Sequence, residues 1–400
     1  MSAGRYIALL RQRPIGALFA ASLVARLPWG MTSLALILLV TSHGGSYARA
    51  GLVSAVYTVG SGVAGPLVGR LVDAFGRRTV VPPLSLAWTG LLAAVWWAAG
   101  RPVGLLLVTA ALAGLCAPPI AAVVRAMWPV LLDGAPLRTM YALDATFQEL
   151  AFVAGPALVA GVTAGAGPGA ALLLAGGLGA AGLIAFSAHP AAAGERRREA
   201  GARLAMRSEP RLVMLLVAGL LLVCGLSACD VAVVATVGGR SHAGTAGLLY
   251  ALWSAGSMIG GLIWGGRVRA TTPLAPLVAL AAVHLASLAA APGPVVLAVL
   301  LFVGGASIAP ALGGLYGHVG SAVPSEVATE AFGWLSSAFV AGGALGNAAS
   351  GAVLTWAGPH ASFGLAGGAG ALAIVAALVA DRVPAPDPVP EAAQPSGPAR

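Results

Sequence analysis

Gly69-Arg70-Leu71-Val72-Asp73-Ala74-Phe75-Gly76-Arg77-Arg78 sets four charges and a glycine turn between two long apolar segments, roughly 48 to 69 and 80 to 99. Each flanking segment has the ~20 residues a helix needs to cross the hydrocarbon core of a bilayer. Charged side chains are costly inside that core, so the stretch reads as a short hairpin at the membrane surface. Arginine-bearing hairpins of this length stay on the cytoplasmic side.

Composition extends this reading to the whole chain. The 400 residues are 58% hydrophobic and 9% charged, with a mean hydropathy of +0.91. Such a chain would expose much apolar surface in water, and residence in a bilayer removes the difficulty. The net charge of +9 does not indicate a nucleic-acid partner, because the bases lie in short loops between apolar runs and not on one soluble face. All 22 basic residues are arginine, which excludes Schiff-base and lysine-nucleophile chemistry. Cys116, Cys224 and Cys229 fall inside apolar segments without metal-ligand spacing, so no metal, cofactor or disulfide framework is expected. No nucleophile–base constellation stands out, and the chain reads as a non-enzyme. The first apolar run, about 15–40, is too long for a cleaved signal and is expected to remain as a span.

Cutting at glycine, proline and charge clusters yields twelve apolar segments, near 15–40, 48–69, 80–99, 103–124, 141–163, 169–187, 212–237, 244–266, 274–291, 295–317, 329–354 and 361–380. An even count places both termini on one side. Arg5, Arg11, Arg13, Arg70, Arg77, Arg78, Arg138, the 196–211 cluster, Arg267 and Arg269 share that side, against Arg49, Arg101 and Arg240 opposite. The expectation is a multi-pass protein of the cytoplasmic membrane with both termini cytoplasmic. The loop 318–328, with Glu326 and no arginine, is the exception.

Residues 1–188 and 212–382 read as two halves, joined by a charged linker at 189–211 and followed by a proline-rich tail at 383–400, expected to be disordered. The linker is a solvated connection first and a patch for anionic lipid second. Internal repeats support the division. Ala151-Phe-Val-Ala-Gly-Pro-Ala-Leu158 returns as Ala338-Phe-Val-Ala-Gly-Gly-Ala-Leu345, six segments later. Ala50-Gly-Leu52 with Gly60-Ser61, Gly65 and Gly69 is echoed by Ala246-Gly-Leu248 with Gly256-Ser257, Gly261 and Gly265, and Ala117-Pro118 by Ala309-Pro310. In the second copy of the charged loop the place of Asp73 falls on Arg269, so an acidic gate is expected in the first half alone.

With these residues in hand the chain resembles the major facilitator superfamily of secondary transporters, whose loop between spans 2 and 3 reads G-x-x-x-D-(R/K)-x-G-R-(R/K). Gly69, Asp73, Gly76, Arg77 and Arg78 match it, and Ala74 departs from it. The resemblance implies an all-α polytopic fold of twelve transmembrane helices in two pseudo-symmetric six-helix bundles. It also implies secondary active transport by alternating access, with a small-molecule substrate, protons and membrane lipids as partners, in a monomer. Gly155-Pro156 followed by Gly161 looks like the antiporter signature of the efflux branch, although Val159 and Ala160 stand where that branch has a glycine pair. The leading expectation is therefore a proton-coupled exporter of a small organic molecule. The alternatives are a proton-coupled importer of an organic ion, with Arg26 binding an anionic group, and a transport-inactive membrane sensor.

Ionisable residues within spans are the functional candidates. Arg26 and Glu149 lie at similar depths, roughly 16 Å and 12 Å from the cytoplasmic end at about 1.5 Å per residue, so an Arg26–Glu149 ion pair facing the cavity is expected. Asp230, roughly 27 Å along its span, is a candidate proton carrier or a residue of the wet outer vestibule. Glu330 is expected to cap a helix or gate the cytoplasmic mouth, and Arg125 with Asp144 to form an electrostatic latch. Glycine pairs, among them Gly65/Gly69, Gly155 with Gly161, and Gly342/Gly346, are expected to let helices approach closely. Trp29, Tyr57, Trp253, Trp334 and Phe339 are candidate cavity aromatics.

Overall fold

A backbone in hydrocarbon can satisfy its polar groups only in helices or closed barrels, and a chain rich in alanine and leucine takes the helix. The computed structural model describes residues 2–190, 209–236, 243–264, 272–291 and 293–383, and no strand occurs among them. The helices are α1 (Ser2–Leu10), α2 (Arg13–Arg26), α3 (Pro28–Ser42), α4 (Tyr47–Phe75), α5 (Arg77–Ala98), α6 (Val103–Leu115) and α7 (Ile120–Leu131). They continue with α8 (Gly134–Ala188), α9 (Pro210–Thr236), α10 (Ala243–Trp264), α11 (Leu274–Ser287), α12 (Pro294–Gly305), α13 (Ile308–Ser321) and α14 (Ala328–Arg382). The linker residues 191–208, the loops 237–242 and 265–271 and the tail from 384 onward lie outside the described residues. The expectations for the anionic-lipid patch, the decayed loop copy and the tail fall there.

Among the described residues eight segments are long and apolar enough to cross a membrane, and two shorter apolar helices accompany them at Leu248–Trp264 and Leu274–Ala290. Breaks inside the spans have local causes. Pro28 lacks an N–H and divides the first span into α2 and α3, and Pro118-Pro119 separates α6 from α7. The 55-residue helices α8 and α14 would each run about 80 Å if straight. Each leaves helical geometry at a glycine followed by proline, Gly167 with φ +83° and Gly358 with φ +76°. Only glycine takes that backbone at little cost, and the following proline, with no N–H to give, suits the first turn of the new helix.

Packing follows small residues. Gly30 of α3 and Gly155 of α8 meet backbone to backbone, and a Cβ on Gly155 would lie 2.6 Å from the Gly30 Cα. Gly342 and Gly346 of α14 back in the same way onto Leu220 and Cys224 of α9. Gly161 does not take part, since a side chain there would meet nothing within 4 Å. The expected pairing of Gly155 with Gly161 as packing residues therefore holds for Gly155 alone. Six residues separate the two, about 600° of helical turn, so they point away from each other by roughly a third of a turn.

The first eight helices pack chiefly among themselves through α2, α3 and α5 on α8, and the last six through α9 and α11 on α14 and α10 on α12. Four contacts chiefly join the sets: α4 with α14, α8 with α13, α7 with α14, and α8 with α10. Outward faces are apolar. Val59, Val63, Leu67, Leu71 and Phe75 of α4 recur every four residues and are all exposed, a stripe suited to lipid tails and not to water.

Candidate functional site

Two polar arrangements stand where the two sets of helices meet, a carboxylate-capped contact at the end carrying Gly76 and a charged triad deeper in. The capped contact starts from glycine. Gly65 of α4 presses on Gly333 of α14, and a Cβ on Gly69 would lie 2.6 Å from the Thr329 carbonyl oxygen and 2.9 Å from the Glu330 Cα. This approach brings Asp73 to the start of α14. Its Oδ1 accepts from the Thr329 N–H at 3.2 Å and its Oδ2 from the Glu330 N–H at 2.8 Å. A buried carboxylate thus satisfies orphan donors of the helix and meets the positive end of its dipole. The Glu330 side chain accepts from Arg70, with Nε at 3.2 Å and Nη2 at 2.6 Å.

Sequence reasoning assigned capping or gating to Glu330; the cap is Asp73, and Glu330 is the counter-ion of Arg70. The reason is a turn of helix: the Glu330 side chain leans from its own backbone toward α4, whereas Asp73 approaches from the neighbouring helix with its oxygens facing the free N–H groups. Arg70 stands inside the diagnostic stretch, but nothing in the sequence marks it as the partner of Glu330. Gly76, with φ +82°, turns the chain from α4 into α5. Arg77 lies over the Phe186 ring at 5.9 Å. Arg78 donates to the carbonyl oxygens of Ser187, Ala188 and His189 at 3.1–3.2 Å. The two arginines therefore dock on the C-terminal end of α8, where carbonyls are unpaired and the dipole is negative. The acidic residue of the stretch reaches across the seam, and its final arginines anchor it on its own side.

The charged triad differs from the expected pairing. Arg26 donates through Nη2 to Asp144 Oδ1 and through Nη1 to Ser22 Oγ at 3.1 Å. Arg125 donates through Nε to Asp144 Oδ2 at 2.8 Å and through Nη2 to Gln148 Oε1 at 2.7 Å. The expected Arg26–Glu149 pair is absent. Helical side chains lean toward the N-terminus, and Arg26 reaches back one turn to the level of Ser22. That brings it to Asp144, about 7.5 Å nearer the Gly76 end than Glu149. Five residues on a helix also turn it by about 140°, so Asp144 and Glu149 face different neighbours.

Arg125 and Asp144 do pair, but not as a latch at the mouth: Arg26, Arg125 and Asp144 are 1%, 2% and 0% exposed. The triad is closed over by the other set of helices. The Tyr316 ring of α13 lies 3.5 Å from the Arg125 guanidinium carbon, and its hydroxyl donates to Gln148 Oε1 at 3.4 Å. In exchange Tyr141 of α8 fits against Gly320 of α13 and tilts against Phe332 of α14, with ring centroids 6.2 Å apart. Tyr316 carried no sequence signal beyond being the large residue of the glycine-rich run Gly313 to Gly320.

Glu149 faces α10, where Ser254 and Ser257 donate to its two oxygens at 3.4 and 3.5 Å. Asp230 of α9 lies within reach of the Glu149 charge, and the Tyr250 hydroxyl donates to the Asp230 carbonyl oxygen at 2.7 Å. Among the described residues neither carboxylate meets an arginine. Among the proposed cavity aromatics, Tyr57 and Trp253 are buried in packing, Trp29 lies 6.5 Å from Phe152, and Phe339 lies 6.3 Å from Tyr316. Pro156 is accommodated inside α8 without a break. A second carboxylate cap escaped the sequence: Asp381 accepts from the Leu274 and Ala275 N–H groups at 3.0 and 2.9 Å, fastening the end of α14 to the start of α11.

Apolar spans with lipid-suited outer faces, a carboxylate cap where the two sets meet and an ionised triad buried among α2, α7 and α8 define a multi-pass membrane protein. The family model of the Major Facilitator Superfamily matches residues 18–292. The chain belongs to this superfamily, and is a transporter of its class.

Solved structures agree in fold. The human organic anion transporter MFSD10 (TETRAN) superposes with a TM-score of 0.72 at 18% identity, covering 92% of this chain and 99% of that one. A bacterial homologue of the iron transporter ferroportin, in its outward-facing state, gives 0.76 at 15% identity, covering 91% and 98%. The Escherichia coli fucose:proton symporter FucP gives 0.71 at 16% identity, covering 92% and 98%. No curated protein matches in sequence.

Proposed function

We propose that this transporter exports a small organic molecule across the cytoplasmic membrane by alternating access, in exchange for protons. Twelve crossings in two six-helix halves follow if the two 55-residue helices each cross twice, turning at Gly167 and Gly358, and the two shorter apolar helices also span. Matched positions of the repeat support the halves. Gly60 backs onto α6 as Gly256 backs onto α12, and Gly65 meets α14 as Gly261 meets Thr146 of α8. Arginine placement orients the Gly76 end and both termini toward the cytoplasm. The protein then stands with its cytoplasmic gate shut.

The single observation that carries proton coupling is Glu149. It is a carboxylate in a membrane-spanning helix, facing the other half, whose oxygens meet only hydroxyls among the described residues. A charge so placed is costly, and a proton removes the cost. Asp230, from the second half and within its field, is the second carrier. Loading a proton would loosen Glu149 from α10 and let the halves separate, while Asp73, Arg70 and Glu330 restore the closed gate. Gly155 and Pro156 serve the close packing of α3 on α8. The protein works as a monomer in contact with membrane lipid.

The test begins with a thermal-shift screen of the purified protein, since a ligand that binds the folded state raises its melting temperature. The hit is then labelled and followed in proteoliposomes. Counterflow establishes a carrier, and movement against a proton gradient establishes exchange. A ligand that counterflows but ignores the proton gradient refutes the coupling, and no counterflow refutes the carrier.

A further inference from the structure

The Arg26–Asp144–Arg125 triad carries more positive than negative charge: two guanidinium groups share one carboxylate. The third partner of Arg125 is not an ion but the face of Tyr316, 3.5 Å away. Arg26 is 1% exposed, and its Nε has no hydrogen-bond partner among the described residues. A buried charge left partly uncompensated is unfavourable, and a ring face compensates a guanidinium less than a pair of charged oxygens does. Tyr316 belongs to α13, in the set of helices that must part from α7 and α8 when the Gly76 end opens. Opening that end therefore uncovers Arg125 to solvent from the side where an exporter collects its cargo.

Resting on the exporter reading above, we propose that this triad is the pick-up site for an anionic group, a carboxylate above all, and that Tyr316 is its placeholder while the gate is shut. A planar carboxylate can accept from the Arg125 N–H groups that Asp144 and Gln148 leave unused and from the free Nε of Arg26. Trp29, 5.9 Å from Arg26 and tilted against Phe152, and Phe339 beside Tyr316 supply apolar flanks. An apolar or aromatic carboxylate is the class that fits. A cation finds no opening in the triad, because its carboxylate already binds both arginines. The same opening movement withdraws Ser254 and Ser257 from Glu149, so the anion site and the proton site are uncovered together. Cargo release requires Tyr316 to return.

The test is equilibrium dialysis of labelled benzoate, and of benzylamine as its opposite-charge counterpart, against the full chain in nanodiscs. Benzoate is expected to bind and benzylamine not to. Arg26→Gln removes the surplus charge while leaving Asp144 paired with Arg125, and should weaken benzoate about tenfold or more. Tyr316→Leu removes the competitor and should tighten benzoate several-fold, whereas Tyr316→Phe keeps the ring over Arg125 and should tighten it less than Tyr316→Leu does. Benzylamine binding in place of benzoate, or unchanged benzoate binding by a folded Arg26→Gln, overturns the proposal. If Tyr316→Leu fails to fold, the benzoate/benzylamine contrast and Arg26→Gln still decide it. Binding at equilibrium does not depend on the direction of transport, and dialysis of every variant at one fixed pH holds the protonation of Glu149 constant across the comparison. Benzoate binding without proton-driven movement would refute the exporter reading alone; proton-driven movement of an amine, with benzoate inert, would refute the anion site alone.

Discussion

Asp73→Asn isolates the gate. The carboxylate is 9% exposed and accepts two backbone N–H groups at the head of α14, at 3.2 and 2.8 Å. Asparagine keeps one accepting oxygen but points amide hydrogens at the second N–H, and it removes the charge facing the helix dipole. Loss of a cap costs about 0.5–2 kcal/mol, and a partly buried charge–dipole contact up to about 2 kcal/mol. Together they weaken the shut state by about 2 kcal/mol, a roughly 30-fold change in the ratio of shut to open. The seam is then open in a measurable share of molecules.

Pulsed electron–electron distance measurements would read this directly. Spin labels at Phe75 and Arg382, both exposed, would sit in a chain whose Cys116, Cys224 and Cys229 are replaced. The wild type should give one distance, and Asp73→Asn an added longer one, with little change in melting temperature because the cap acts between states and not on the helices themselves. An unchanged distance distribution in a well-folded Asp73→Asn chain would refute the reasoning.

Gly69→Ala should open the same seam by contact alone, since the new methyl would lie 2.6 Å from the Thr329 carbonyl oxygen; transport should fall about tenfold or more as the gate fails to shut. Asp144→Asn strips two buried arginines of their shared carboxylate and should destabilise the fold by about 3–5 kcal/mol, seen as a large drop in melting temperature. Glu149→Gln, neutral at every pH, should abolish proton-driven movement while counterflow continues, and persistence of proton-driven movement would exclude Glu149 as the carrier. Asp381→Asn should cost about 1 kcal/mol through the lost cap on α11 and leave the Phe75–Arg382 distance unchanged.

Much of the architecture is legible in the order of residues, because hydrocarbon imposes a single rule on every span. An uncharged run of about 20 residues must be helical, and each polar interruption must lie at a surface or against other protein. The helical character of the apolar runs, the turn at Gly76 and membership of the superfamily follow from that rule and from the stretch Gly69 to Arg78. The breaks at Gly167-Pro168 and Gly358-Pro359 fall between apolar segments that the sequence already separates, whereas Gly65-Pro66 and Gly155-Pro156 lie mid-segment and stay helical.

Pairing across helices is not local, and tertiary structure alone decided it. Depth along a span suggested Glu149 for Arg26, yet the lean of an arginine toward its helix N-terminus and 140° of helical rotation assigned Asp144 instead. Glu330 looked like its own cap, yet Asp73 arrived from 257 residues away to fill that place. Tyr316 over Arg125, Ser254 and Ser257 on Glu149, and Asp381 on α11 depend on which faces two helices turn toward each other. A sequence records what each helix must hide from lipid; which charge meets which is set by rotation and register, quantities that exist only once the helices are packed.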